Sequence, residues 1–155
     1  MLARQHKSVG FQILLVDDDP SVLETTAALL EDEAMLLTAT SAEKALELVS
    51  EHEVHVVLTD FKMAGMNGLE LLRRVHATDA RTLGILVTGF RENLPRGVAG
   101  DPAIFALLYK PYKGAALRSM VRDAARCAAM DRVTDGFKPA SHRLASEPGQ
   151  KANAK

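Results

Sequence analysis

Residues 54–68 read VHVVLTDFKMAGMNG. The stretch opens with an apolar run, Val54–Thr59, and closes at Gly68, where a helical pattern begins. A short run rich in Val and Leu suits a parallel strand buried on both faces. Asp60 ends that run, and a loop of small and flexible residues follows it. Asn67 can cap the next helix, with Glu70 three residues on. The stretch therefore reads strand, loop, helix, with a carboxylate at the carboxyl end of the strand.

The same unit repeats on either side. Four more apolar runs, Phe11–Val16, Met35–Ala39, Leu83–Thr88 and Ile104–Tyr109, alternate with helical patterns over Ser21–Glu33, Ala42–Glu51, Gly68–Thr78 and Gly114–Met130. Asp19-Pro20 offers a cap followed by Pro at the first helical position. Thr40-Ser41-Ala42-Glu43 reads as a capping box. The segment Glu92–Ala99 is the weakest, a turn or two of helix or a loop, because it carries Pro95 and Gly97. The alternation predicts an α/β fold, a doubly wound five-stranded parallel sheet with helices on both faces. The domain is expected over 10–130, with a disordered lead at 1–9 and a disordered tail at 131–155.

A chain of 155 residues suits one domain. Its net charge of −1 argues against nucleic acid as the main partner, since phosphate backbones call for clustered Lys and Arg. No apolar stretch approaches the ~20 residues of a membrane span, and the first ten residues lack a signal-type apolar segment. A single cysteine, Cys127, leaves no disulfide framework, so a reducing, cytoplasmic setting is expected. Cys127 falls on the apolar stripe of the last helix and reads as a small buried side chain. The histidines form no metal-ligand set.

Ligands of doubly wound sheets sit beyond the carboxyl ends of the strands. Asp17, Asp18 and Asp19 stand there after the first run, Asp60 after the third, Thr88-Gly89 after the fourth and Lys110-Pro111 after the fifth. Taken singly, Asp19 is a helix cap, Thr88 a strand-end residue, Lys110 a solvated charge and Asp60 the first loop residue. Together they put several carboxylates, a hydroxyl and an ammonium on one edge. Crowded carboxylates call for a cation, and an all-oxygen set with room for water suits Mg²⁺. A metal beside a carboxylate, with Lys and a hydroxyl at hand, equips a site for phosphoryl transfer.

The segments ILLVDDDP, VVLTDFKMAGMNGLELL, ILVTGF and LYKPY resemble, in that order, the receiver domain of bacterial two-component response regulators, a single-domain, chemotaxis-regulator-like one. The resemblance covers about Phe11 to Met130. It implies a flavodoxin-like sheet of order 2-1-3-4-5. It implies Asp60 as phosphoacceptor, with Mg²⁺ held by Asp17, Asp18, Asp60 and the backbone carbonyl of Lys62. Asp18 would be the closer ligand and Asp17 would act through water. Thr88 and Lys110 would bind the phosphoryl group, Gly89 would leave access to it, and the Lys110–Pro111 bond would be cis. The chain departs from the family at Ala64, where Pro is usual, and at Leu107, where Tyr or Phe is usual. Lys62 holds a position that in the family helps set the phosphoryl lifetime. Leu107 and Tyr109 share a strand face and are candidates for a partner surface.

The implied function is a phosphorylation-switched binding module, not an enzyme beyond its own phosphorylation and dephosphorylation. Its donors would be a histidine kinase or a histidine phosphotransfer protein, and its target a downstream protein. A homodimer through the fourth helical segment, the fifth strand and the last helix is a further expectation. The 25-residue tail is too short for a DNA-binding output domain. Two alternatives stand beside this: a Mg²⁺-dependent phosphohydrolase with Asp17 as nucleophile, and a pseudo-receiver that is never phosphorylated.

Overall fold

A computed structural model describes residues 10–89 and 93–137, the last three as backbone only. The expected lead at 1–9, Glu92 of the fourth segment and residues 138–155 of the expected tail lie outside the described residues. The strands are β1 (Gln12–Val16), β2 (Met35–Ala39), β3 (Val56–Asp60), β4 (Leu83–Gly89) and β5 (Ala106–Lys110). The helices are α1 (Pro20–Leu30), α2 (Ala42–Glu51), α3 (Gly68–Thr78) and α4 (Gly114–Phe137). All neighbouring strands pair in parallel, in the order β2-β1-β3-β4-β5. This is the doubly wound, flavodoxin-like sheet that the alternation and the resemblance implied.

Alternation along the strands sends side chains to two separate cores. Leu14, Val57 and Leu86 pack with Ala45, Leu71, Leu72 and Val75 of α2 and α3. Ile13, Leu15, Val56, Leu58 and Ile85 pack on the other face with Leu23, Leu30, Leu117, Val121 and Ala124 of α1 and α4. Each such fully buried Leu or Ile contributes about 1.5–3 kcal/mol relative to an exposed one. The three caps form as the sequence suggests. Asp19, Ser41 and Asn67 accept from the backbone N–H groups of Ser21, Lys44 and Glu70.

The fourth segment keeps only a three-residue 3₁₀ turn, Val98–Gly100, among its described residues. Pro95 lacks a donor, and Gly97 sits at φ +78°, which breaks a helical run. Chain instead of a helix lies directly on the sheet. Gly84 allows this, since a Cβ there would come within 2.6 Å of the Ala103 carbonyl oxygen. Asp101 accepts from the Ala103 N–H at 2.9 Å and pairs with Arg73 of α3 at 2.8 Å, which fixes the connection to the neighbouring helix.

Two further differences concern α4. It runs seven residues past Met130, where the apolar pattern stops. Arg132 accounts for the extension. Its guanidinium donates to the carbonyls of Val54, Arg81 and Ala128 at 2.8–3.1 Å and lies 3.0 Å from the Glu53 carboxylate. It thereby ties the far end of α4 to the segments that lead into β3 and β4. Cys127 is exposed rather than buried, because it stands about 100° around the helix from the core residue Ala128.

His55 is buried beside the start of β1. Its Nδ1 accepts from the Gln12 N–H at 3.1 Å, which requires a free lone pair on the ring, and Phe11 meets it edge-on at 5.9 Å. Burial, and then the nearby Arg132 charge, hold its pKa below the ordinary 6.5. The unfolded chain therefore takes this proton first as pH falls. The stabilisation is complete above 6.5 and is lost as pH drops from there through the lower folded value. Thermal melts from about pH 7.5 to about pH 5.5 should show a falling midpoint, and a His55→Gln variant should show a shallower fall. Identical slopes for the two proteins would contradict this.

Candidate functional site

The carboxyl ends of β1, β3 and β5 converge at one edge of the sheet. Asp60 is the last residue of β3, a strand buried along its whole length, and is itself 8% exposed. Lys110 ends β5, two strands away in the sheet. Its Nζ lies 2.8 Å from Asp60 Oδ1. Gly89 stands opposite Lys110 in register, so no side chain rises between β4 and β5 at that level. The Lys110–Pro111 bond is cis. The approach of the ammonium is charge to charge: among the described residues, no aligned hydrogen-bond donor reaches the buried Oδ1.

Asp17 follows β1 and shares a crevice with Asp60 and Lys110, walled by Val22, Leu23, Thr26 and Tyr112. About 20 Å³ within the crevice is open to the centres of water-sized groups. Burial pushes the Asp17 carboxyl above its ordinary range. The Asp19 N–H, which donates to Oδ1 at 2.9 Å, opposes this, and the nearby Asp60 charge adds to it.

Asp18 is placed differently. It is exposed and does not line the crevice, and its Oδ2 accepts from the backbone N–H of Ala64 at 3.0 Å. Among the described residues, no three acidic, histidine or cysteine side chains converge closely enough to hold a metal as they stand. The structure places Asp17 in the crevice with Asp60, and Asp18 on the Ala64 N–H. The donor set still fits Mg²⁺. Asp60 Oδ1 is a buried oxygen with only an ion-pair partner, Asp17 shares its crevice, and Mg²⁺ is commonly held by one or two carboxylates plus water.

Thr88 is fully buried, and alternation sets it with Leu86 on the face of β4 away from Val87, which lines the crevice. Its hydroxyl donates to the Gly89 carbonyl at 3.3 Å, a long bond for two oxygens. Tyr109 lies opposite Thr88 in register on the edge strand β5, 46% exposed. Leu107, on the same face, packs against the α2–α3 core. Lys62 is exposed in the loop after β3.

One further residue of the site escaped the sequence reading of side chains. Gly68, the first residue of α3, lies directly against the end of β3. A Cβ there would come within 2.9 Å of the Asp60 carbonyl carbon and 3.0 Å of Leu86. The Gly68 N–H donates to Phe61 O at 2.9 Å, closing the loop between the two elements. The glycine was visible in the sequence, but only the approach of helix to strand shows what it is for.

An acidic crevice at the carboxyl edge of a doubly wound parallel sheet, with a lysine from the edge strand, defines the class. Residues 13–122 match the response regulator receiver domain, and the chain belongs to that family. It is 33% identical over 134 residues to the transcriptional regulatory protein FixJ of Azorhizobium caulinodans, covering 84% of this chain and 63% of that one. The chain spans less than two thirds of the length of the curated relatives it matches, and 23–25% of several transcriptional regulators. Among solved structures, the signal receiver domain of an HD domain-containing protein from Pseudomonas fluorescens is 30% identical with a TM-score of 0.72, covering 77% of this chain and 98% of that one. The response regulator TrrA of Thermotoga maritima, solved with Mg²⁺ and BeF, shares the fold at 24% identity and a TM-score of 0.67, covering 74% and 98%. No helix among the described residues is long and apolar enough to cross a membrane.

The contact at Gly68 yields a measurable expectation. Gly68→Ala forces the helix start off the Asp60 carbonyl and should cost about 1–3 kcal/mol in urea unfolding, read from the midpoint at unchanged slope. A midpoint equal to that of the parent would show that the two elements have room to part.

Proposed function

We propose that this chain is a phosphoryl-accepting receiver of a two-component phosphorelay, phosphorylated on Asp60. One observation carries the reading: a buried carboxylate oxygen at the end of the central strand, 2.8 Å from the Lys110 ammonium, with Asp17 in the same crevice. The donor is a histidine kinase or a histidine phosphotransfer protein. An Asp60 oxygen attacks the phosphorus of a phosphohistidine. The P–O bond forms as the P–N bond breaks, and the imidazole nitrogen leaves, taking a proton from water.

Asp17, Asp60 and Asp18, with the Lys62 carbonyl, are the groups that would hold Mg²⁺. When bound, the ion offsets negative charge on the carboxylates and the phosphoryl oxygens. Lys110 stays near Asp60 and pairs with a phosphoryl oxygen once Asp60 is esterified. The long Thr88–Gly89 hydrogen bond is weak enough to exchange for a phosphoryl oxygen. Because Tyr109 stands beside Thr88 on an exposed edge strand, that exchange alters the surface a downstream protein or a second copy meets. The expected dimer face loses its first element, since the described part of the fourth segment is a 3₁₀ turn; β5, the connection and α4 remain to form it.

The hydrolase alternative fits less well. It makes Asp17 the nucleophile and leaves the Asp60–Lys110 pair, 2.8 Å apart at the end of the central strand, without a role.

Incubation with acetyl phosphate and Mg²⁺ should add one phosphoryl group to the intact mass, and Asp60→Asn should add none. Lys110→Ala should lower the rate of labelling by about tenfold or more, through loss of the charge that steadies the phosphoryl oxygens. Labelling that survives Asp60→Asn and disappears in Asp17→Asn would favour the hydrolase.

A further inference from the structure

Asp18 is held by a bond that most side chains at position 64 would allow and proline would not. Its Oδ2 accepts from the Ala64 N–H at 3.0 Å, across 46 residues of chain. The partner is a backbone donor in the loop between β3 and α3, and proline has no N–H to offer. Asp18 is exposed and absent from the crevice that Asp17 and Asp60 line, and no three acidic groups of the described residues gather to hold an ion. Asp60 Oδ1 meanwhile lies buried in that crevice without an aligned hydrogen-bond donor, on a side chain 9% exposed. The crevice thus has a carboxylate oxygen held by an ion pair without an aligned hydrogen bond, and a third carboxylate is bound elsewhere.

We propose that the Ala64 N–H is a latch that holds the Asp18 carboxylate out of the acidic crevice, so that Mg²⁺ binding and the conformation of the β3–α3 loop are coupled. The proposal rests on the receiver reading in one respect, that Asp18 is a metal ligand. For Asp18 to join Asp17 and Asp60, its bond to Ala64 must break or shift. The metal affinity of the free chain is then lowered by the strength of that bond. A hydrogen bond to a charged group is worth enough to change an equilibrium by roughly tenfold. Ala64 and Gly65 are both exposed, so no buried side chain at these two positions opposes a shift of the Ala64 N–H. Ala64 is a positioning residue in this account and touches no phosphoryl group. The contrary outcome of the test is an aiming role. An N–H on one carboxylate oxygen leaves the other oxygen free, and the same bond would then aim Asp18 at the ion and strengthen binding.

The test is Mg²⁺ titration calorimetry on the full chain, with amide exchange at Ala64 followed by NMR. The latch predicts that Ala64→Pro tightens Mg²⁺ binding by roughly tenfold, while Ala64→Gly, which keeps the N–H, leaves it within about twofold. The gain from Ala64→Pro should vanish in an Asp18→Ala background, which separates the latch from any stiffening of the loop by proline. In the parent protein, the Ala64 amide should lose protection from exchange at saturating Mg²⁺, a readout that needs no variant. Weaker binding by Ala64→Pro, or Ala64 protection that holds or rises with Mg²⁺, overturns the latch in favour of the aiming role. Absence of any Mg²⁺ binding that depends on Asp17 and Asp60 overturns the latch and the receiver reading together. Binding that depends on them but ignores position 64 overturns the latch alone.

Discussion

A carboxylate at the end of a fully buried strand is costly to keep charged unless a cation stands beside it. Asp60 is in that position, and the Lys110 ammonium at 2.8 Å is its counter-charge. Much of the fold is arranged to bring these two groups together. They come from strands on either side of β4, so the register of both pairings must hold. The pairings hold because β3 and β4 are packed on both faces, which leaves no alternative register that keeps apolar side chains buried. Gly89, between the two strand ends, adds no side chain at that level.

The same edge shows how a site can be complete in composition and still loosely assembled. Asp17 and Asp60 share a crevice, and Asp19 caps α1. Asp18 turns the other way, onto the loop that follows β3. Three consecutive aspartates therefore serve three ends: one in the crevice, one on a backbone amide, one on a helix start. The division spaces like charges, which repel one another when gathered. The loop that receives Asp18 ends at Gly68, which lies directly against the Asp60 carbonyl.

Much of this was legible in the sequence, for physical reasons that differ by element. The strands were readable because burial on both faces demands near-continuous apolar runs. The helix starts were readable because Asp19, Ser41 and Asn67 are cap residues with the right spacing. Asp60, Lys110 and the first aspartates were readable because charge at a buried strand end needs a reason. What escaped was interaction across long sequence separation. Arg132 extends α4 by reaching carbonyls near β3 and β4, whereas its own neighbourhood looks like the start of a tail. The bond from Asp18 to Ala64 spans 46 residues and uses a backbone donor, which no side-chain pattern reveals. Cys127 lay at the margin of an apolar stripe, and only the rotation of the helix put it outside.

Asp60 is the group proposed to become phosphorylated. Borohydride reduces an acyl phosphate to the alcohol, so a phosphorylated aspartate becomes homoserine in the chain. Protein treated with acetyl phosphate and Mg²⁺, then reduced and digested, should contain homoserine at position 60 in its peptide mass spectra. Homoserine at position 17 with an intact Asp60, or an unmodified residue at both positions despite a stable phosphoryl label, would contradict the account.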